Sequence, residues 1–173
     1  MAQRGCAGSL LALTKGVSAR PARLQAFDYL GFYRYFLTFC TADRRPVFVD
    51  AGTVREVIEQ IRRTCAEEQF AVLAYCFMPD HVHLLLEGRR EDADLRRCAK
   101  LARQRSAMFY ARLGGRRLWQ AGFYDRVLRN EESTVDVVKY IVGNAVRGGL
   151  VARVVDYPFC GSDVCDLRVL WPD

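Results

Sequence analysis

The hydrophobic positions of the chain follow two rhythms that take turns. The segment YRYFLTFCT, Tyr33 to Thr41, is aromatic and β-branched enough to predict a strand. From Val54, apolar residues recur at Val57, Ile58, Ile61 and Cys65, one face of a helix capped by Asp50 or Thr53. FAVLAYCFM, Phe70 to Met78, predicts a second strand; Pro79 and Asp80 make a turn, and HVHLLLEG forms a third strand that Gly88 ends. Asp92 or Asp94 then caps a long helix whose buried side carries Leu95, Cys98, Leu101, Met108 and Phe109, and Gly114-Gly115 stops it. A loop leads to a short strand, Tyr124 to Arg129. Ser133 or Thr134 caps the last main helix, with an apolar stripe at Val135, Val138, Val142 and Ala145, and Gly148-Gly149 ends it.

The order strand, helix, strand, strand, helix, strand, helix implies an α+β layer: an antiparallel sheet with helices packed on one face. From Val151 to Asp173 the tail is irregular, with prolines and no period. Residues 1–25 also lack a sustained period and are read as a flexible N-terminal extension or an upstream start, leaving 26–173 as one domain.

Composition narrows the class. The hydrophobic share of 51% is enough for a sizeable core, yet no apolar run approaches the ~20 residues of a membrane span. Leu10 to Leu13 is too short for a signal peptide, so the expectation is a soluble, cytoplasmic chain with no membrane partner. The 7 cysteines are odd in number and contain no Cys-x-x-Cys, which favours reduced buried thiols over a disulfide framework or zinc site.

The net charge of +6 is unevenly spread. Residues 95–124 hold Arg96, Arg97, Lys100, Arg103, Arg105, Arg112, Arg116 and Arg117 and no acid, while the chain outside this stretch and the basic N-terminus is net negative. Thirty residues without a carboxylate suit a polyanion better than they suit an ordinary solvated helix face.

Both histidines of the chain, His81 and His83, lie in the third strand. Residues two apart project from the same face, so the imidazoles stand side by side while Val82, Leu84 and Leu86 face a core. Two neutral imidazoles at this spacing can share a divalent ion, although a surface pair would look the same. Tyr140 and Asn144 are four apart on the last helix, off its apolar stripe. Asn144 offers a carbonyl oxygen to a hard cation. The phenol of Tyr140 is a poor nucleophile at neutral pH unless a cation stabilises its phenolate. With a basic helix to hold a strand, these parts converge on phosphoryl transfer within a nucleic acid. Glu87 lies on the histidine face, so it could stand behind the imidazoles.

The segments YCFMPDHVHLLLEG, LWQAGFYDRVLRNEE, YIVGNAVRGGLV and DYPFCGSD, in that order, resemble the REP-associated tyrosine transposases, members of the HUH single-strand transposases. The resemblance spans roughly residues 27–163. It implies a ferredoxin-like antiparallel sheet with the histidines on a central strand, His81, His83 and Asn144 as metal ligands, Tyr140 as nucleophile, and magnesium or manganese as the ion. Family members cut and rejoin hairpin-bearing single-stranded DNA, REP-like or from insertion-sequence ends, through a 5′-phosphotyrosine link and a free 3′-hydroxyl. The chain departs from the family in Ala145, where proline is usual and whose loss is expected to loosen the helix after Asn144, and in Arg126, where histidine is common and which is expected to face DNA or solvent. Arg96, Arg97, Lys100 and Arg103 are the expected DNA-phosphate contacts, in a monomer or homodimer in a bacterial cytoplasm.

Two other functions compete. A hairpin DNA-binding protein that keeps the fold but no longer cuts would have lost Tyr140 or a histidine, and none is lost. A small metal hydrolase in which Tyr140 merely packs would carry more carboxylate or histidine ligands than Asp80 and Glu87 supply.

Overall fold

A computed structural model describes residues 27–129 and 132–171. The expected N-terminal extension, 1–25, lies outside the described residues. Five strands form one sheet: β1 (Arg34–Cys40), β2 (Phe70–Met78), β3 (His81–Gly88), β4 (Tyr124–Val127) and β5 (Cys160–Ser162), in the order β4-β1-β3-β2-β5. Every pairing is antiparallel, and β3 occupies the centre. The helices are α1 (Ala51–Glu67), α2 (Leu95–Arg112), α3 (Thr134–Val142), α4 (Asn144–Arg147) and α5 (Leu167–Leu170).

Caps are where short polar residues precede each apolar period. Asp50 accepts from the Thr53 amide at 2.7 Å, Asp94 from the amides of Arg96 and Arg97, and Ser133 from that of Asp136. Helix α1 buries Val54, Val57, Ile58, Ile61 and Cys65, as its period requires. Gly88 closes β3 because the chain passes against Gly31 there: a Cβ on Gly88 would stand 2.0 Å from the Gly31 carbonyl oxygen.

The α+β class and the antiparallel sheet match expectation, but the helices divide between the two faces. Tyr35, Leu37, Phe39, Phe77, Val82, Leu84 and Leu86 make one buried cluster with α1 and α2. Phe36, Leu73, Ala74, Cys76, Met78 and Leu85 make a second with Val138, Ile141 and Ala145 of α3 and α4. Central strands apolar on both sides need cover on both sides.

Four details differ from the expected pattern. Helix α2 buries Leu95, Cys98, Ala99, Ala102 and Ser106, while Met108 is 52% exposed. The small residues let α1 approach, with Cys65 and Cys98 sulfurs 3.7 Å apart. On α3, Ile141 is buried and Val135 is exposed, since the stripe that meets the sheet begins at Val138. The tail is not wholly irregular. It adds β5 to β2, its Tyr157 hydroxyl donates to the Phe77 carbonyl at 2.6 Å, and Ser162 Oγ donates to the Leu73 carbonyl at 2.8 Å. Leu73 sits where β2 slips register against β3, so the tail satisfies the carbonyl that the bulge leaves over. Finally, the helix breaks at Gly143, before Asn144, and α4 continues to Arg147 with Ala145 fully buried, so alanine in place of the usual proline does not unwind it.

Candidate active site

Strand alternation sends Val82 and Leu84 into the α1/α2 cluster, so His81 and His83 emerge on the α3 face. Their Nε2 atoms converge to 3.1 Å. Each Nδ1 is held from behind: His81 Nδ1 lies 2.6 Å from Asp80 Oδ1, and His83 Nδ1 lies 2.9 Å from Thr38 Oγ1. The other Asp80 oxygen, Oδ2, is 2.8 Å from Arg44 Nε. Thr38 is buried on β1 directly opposite His83, so the antiparallel register supplies this contact.

These partners set the tautomers. A carboxylate only accepts, so Asp80 fixes the proton of His81 on Nδ1 and leaves its Nε2 lone pair bare. The Thr38 hydroxyl both donates and accepts. It therefore permits His83 to donate from Nε2 to its neighbour, or to carry its proton on Nδ1 and bare Nε2 for a ligand. Burial keeps both rings neutral. It lowers His81 against the pull of Asp80, and it pushes His83 down to about 3, helped by His81, Arg147 and Arg44. Two neutral imidazoles with converging, pre-oriented lone pairs suit a divalent cation. Among the described residues, no three His, Cys, Asp or Glu side chains gather into a metal-holding group.

Tyr140 shares a wall with this pair, and Asn144 follows it four residues on, at the start of α4. The Phe36 ring stacks on His83 with centroids 5.3 Å apart and meets Tyr140 edge-on at 6.1 Å, so one phenylalanine walls both groups. Asn144 Nδ2 donates to the carbonyls of Tyr140 and Ile141 at 3.2 and 2.9 Å, capping the end of α3. This commits its nitrogen and leaves Oδ1 as the side-chain acceptor. The Arg147 guanidinium lies 4.4 Å over the Tyr140 ring and donates to the Tyr140 carbonyl. Burial raises the Tyr140 pKa, with Arg147 opposing, so the phenol is protonated at neutral pH.

The basic residues of α2 lie across the sheet from the histidines. Arg96 covers the Tyr29 ring at 4.7 Å, and Arg97 pairs with Glu68 at 2.9 Å. Arg103 crosses Phe39 and Phe123 and donates to the Gln120 carbonyl, and burial lowers its pKa; Lys100 is exposed. A groove of about 550 Å³ runs beside them, lined by Lys100, Arg103, Gln104, Arg116, Arg117 and Trp119.

Sequence reasoning missed Thr38, Arg44, Phe36 and Arg147. Asp80 was visible only as the acid next to His81. Glu87, which the strand alternation puts on the histidine face, pairs with Arg89 at 2.9 Å. Arg126 shares the histidine face through its pairing with Phe36, but it is half-buried in an ion pair with Glu132 at 2.6 Å rather than turned out to solvent.

Comparison with known proteins follows the same lines. The chain matches the family model "Transposase IS200 like" over residues 32–144. It is 27% identical over 139 residues to a candidate REP-associated tyrosine transposase of Haemophilus influenzae, covering 72% of this chain and 77% of that protein. It is 27% identical over 140 residues to a REP-associated tyrosine transposase of Escherichia coli K12, covering 80% and 81%. Its fold superposes with a TM-score of 0.66 on a REP-associated tyrosine transposase solved with a REP hairpin, at 20% identity over 84% of this chain and 94% of the other. A candidate transposase from Deinococcus radiodurans superposes with a TM-score of 0.51 at 22% identity, over 68% and 94%. No helix among the described residues is long and apolar enough to cross a membrane. With more than half its length matched in one block that holds both histidines, Tyr140 and Asn144, the chain belongs to the IS200-like transposase family, and its relatives there are REP-associated tyrosine transposases.

Proposed function

We propose that the protein cuts and rejoins single-stranded DNA beside hairpins, with Tyr140 as nucleophile and with His81, His83 and Asn144 holding a magnesium or manganese ion. The observation that carries this reading is the convergence of two Nε2 atoms at 3.1 Å, each with its Nδ1 restrained, against the same Phe36 that walls Tyr140. When bound, the ion supplies Lewis acidity, favouring the phenolate and neutralising charge that builds on the phosphate. Tyr140 gives up its phenolic proton to water, and its oxygen bonds to the scissile phosphorus. The bond from phosphorus to the 3′ oxygen breaks, and that oxygen takes up a proton. The downstream strand is left joined to Tyr140 through its 5′ phosphate, and the upstream strand ends in a 3′-hydroxyl. Attack of a 3′-hydroxyl on the phosphotyrosine reverses the step and rejoins DNA, so no external energy source enters. Phe36 excludes water from one side of the reacting groups, and Arg147 places a positive charge over the tyrosine ring, where the phenolate develops.

Hairpin phosphates are assigned to the exposed side of α2 and its groove, through Arg96, Arg97 and Lys100, with Arg103 shaping the wall. The sheet then separates holding from cutting. The test is cleavage of a hairpin-bearing single strand with added magnesium or manganese. Cutting should require the ion and vanish in His81→Ala and His83→Ala proteins that remain folded by circular dichroism. Undiminished cutting in excess chelator, or by either variant, overturns the metal assignment.

A further inference from the structure

The tail strand β5 completes a pair of cysteines on the histidine side of the sheet. Cys160 on β5 stands directly opposite Cys76 on β2, and Cys76 in turn stands opposite His83 on β3. Both cysteines enter the cluster under α3 and α4, so they project from one face. The ladder bonds fix the kind of pairing. Phe77 donates its amide to the Phe159 carbonyl at 2.8 Å, and Asp163 donates to the Leu73 carbonyl at 3.1 Å. Bonded and unbonded pairs alternate along antiparallel strands, so Cys76 and Cys160 form an unbonded pair, in which the Cα atoms come to about 4.5 Å and the side chains are closest. A disulfide spans Cα atoms about 4.4–6.8 Å apart, so this pair can be bridged without backbone movement, at the short and strained end of the range.

In the reduced chain each thiol is turned elsewhere. Cys160 Sγ donates to the Tyr157 carbonyl at 3.4 Å. Cys76 Sγ lies 4.0 Å from Met78 Sδ and accepts from the Ala145 amide in the first turn of α4, beside Asn144. Cys160 is half-buried and Cys76 fully buried, which gives an oxidant one point of entry. The Cys65 and Cys98 sulfurs, 3.7 Å apart, offer none, since both are fully buried. We infer that Cys76 and Cys160 are a reversible redox pair whose closure draws the Cys76 sulfur off the Ala145 amide and loosens Asn144. Hydrogen peroxide accepts the two electrons. The Cys160 sulfur attacks it, giving a sulfenic acid and one water; the Cys76 sulfur then attacks the sulfenic sulfur, forming the disulfide and releasing a second water. A strained disulfide on an edge strand is readily reduced again by thiols. The effect on ion binding rests on the proposed role of Asn144; the bond itself does not.

The wild-type chain is incubated with hydrogen peroxide at mildly alkaline pH, because burial pushes the Cys160 thiol up to about 11 and the Cys76 thiol up to about 12. Peptide mapping without reductant should find Cys76 joined to Cys160. Manganese affinity, read by calorimetry, should fall about 10- to 100-fold and return with dithiothreitol, which reduces disulfides but not methionine sulfoxide. Cys160→Ser, at a half-open edge position, should bind manganese as the untreated wild type does and keep that affinity in peroxide. A bond between any other two cysteines, or no bond, overturns the pair. A mapped Cys76–Cys160 bond with unchanged affinity, or an equal loss of affinity in Cys160→Ser, overturns the coupling to Asn144. If the untreated wild type binds no manganese while the bond is mapped, the ion reading and its coupling fall and the redox pair stands.

Discussion

A histidine ligand works best when its second nitrogen is tied down, because the tie fixes both tautomer and ring direction. Asp80 and Thr38 provide the two ties here by different chemistry, a carboxylate braced by Arg44 and an amphoteric hydroxyl. Asp80→Ala is expected to weaken manganese binding about 10- to 100-fold, measured by calorimetry, with the unfolding midpoint nearly unchanged. A change below twofold would show that the carboxylate does not orient the ring. Thr38→Val strands the buried His83 Nδ1 and should cost about 1–3 kcal/mol in urea unfolding. The pairing of His81 with His83 on one strand face, and the spacing of Tyr140 and Asn144, were legible in the sequence because strand and helix periods set them. Thr38 was not, since it reaches His83 only through the β1/β3 register across 45 residues, and local spacing carries no such information.

At the scale of elements, caps and most strands followed from short-range pattern, and the misses came from packing. A periodic stripe shows that a helix is amphipathic but not which sheet face it covers, so the division of α1 and α2 from α3 was invisible. Leu85 and Cys76, apolar residues of β3 and β2 on the side away from Leu84 and Phe77, were the available hint of a second buried face. Strand β5 is only three residues long and binds through the carbonyl released at the Leu73 bulge, a need that arises only once β2 is paired. Tight backbone approach is equally a tertiary fact. Gly88→Ala would drive a Cβ against the Gly31 carbonyl and should destabilise the protein by about 1–3 kcal/mol in chemical denaturation. An unaltered midpoint would mean that the loop at Gly31 yields freely.

For the whole molecule, the sheet acts as a partition: basic α2 and its groove on one side, the histidines and Tyr140 on the other. Charge counting along the sequence located the basic stretch but not its side, nor that Arg97 and Arg103 are engaged by Glu68 and by aromatic rings. With hairpin phosphates on α2 and cutting at Tyr140, as proposed, this partition would make binding and cutting separable. Replacing Arg96, Lys100 and Arg116 by glutamine should weaken binding to all hairpins alike and reduce the slope of log affinity against log salt by about 0.9 for each phosphate no longer neutralised, while the cutting rate at saturating DNA holds. An unchanged slope in the triple variant would place the hairpin on another surface.

The proposed reaction bonds the Tyr140 oxygen to the cut DNA. Its most direct measurement is denaturing electrophoresis of the protein after incubation with hairpin DNA labelled on the downstream strand, followed by mass spectrometry of the labelled peptide. The expected result is a covalent adduct on Tyr140 that disappears in Tyr140→Phe, a variant that still folds and binds the hairpin because it lacks one oxygen and little packing. An adduct that persists in Tyr140→Phe, or cutting by the wild type with no adduct at all, would contradict it.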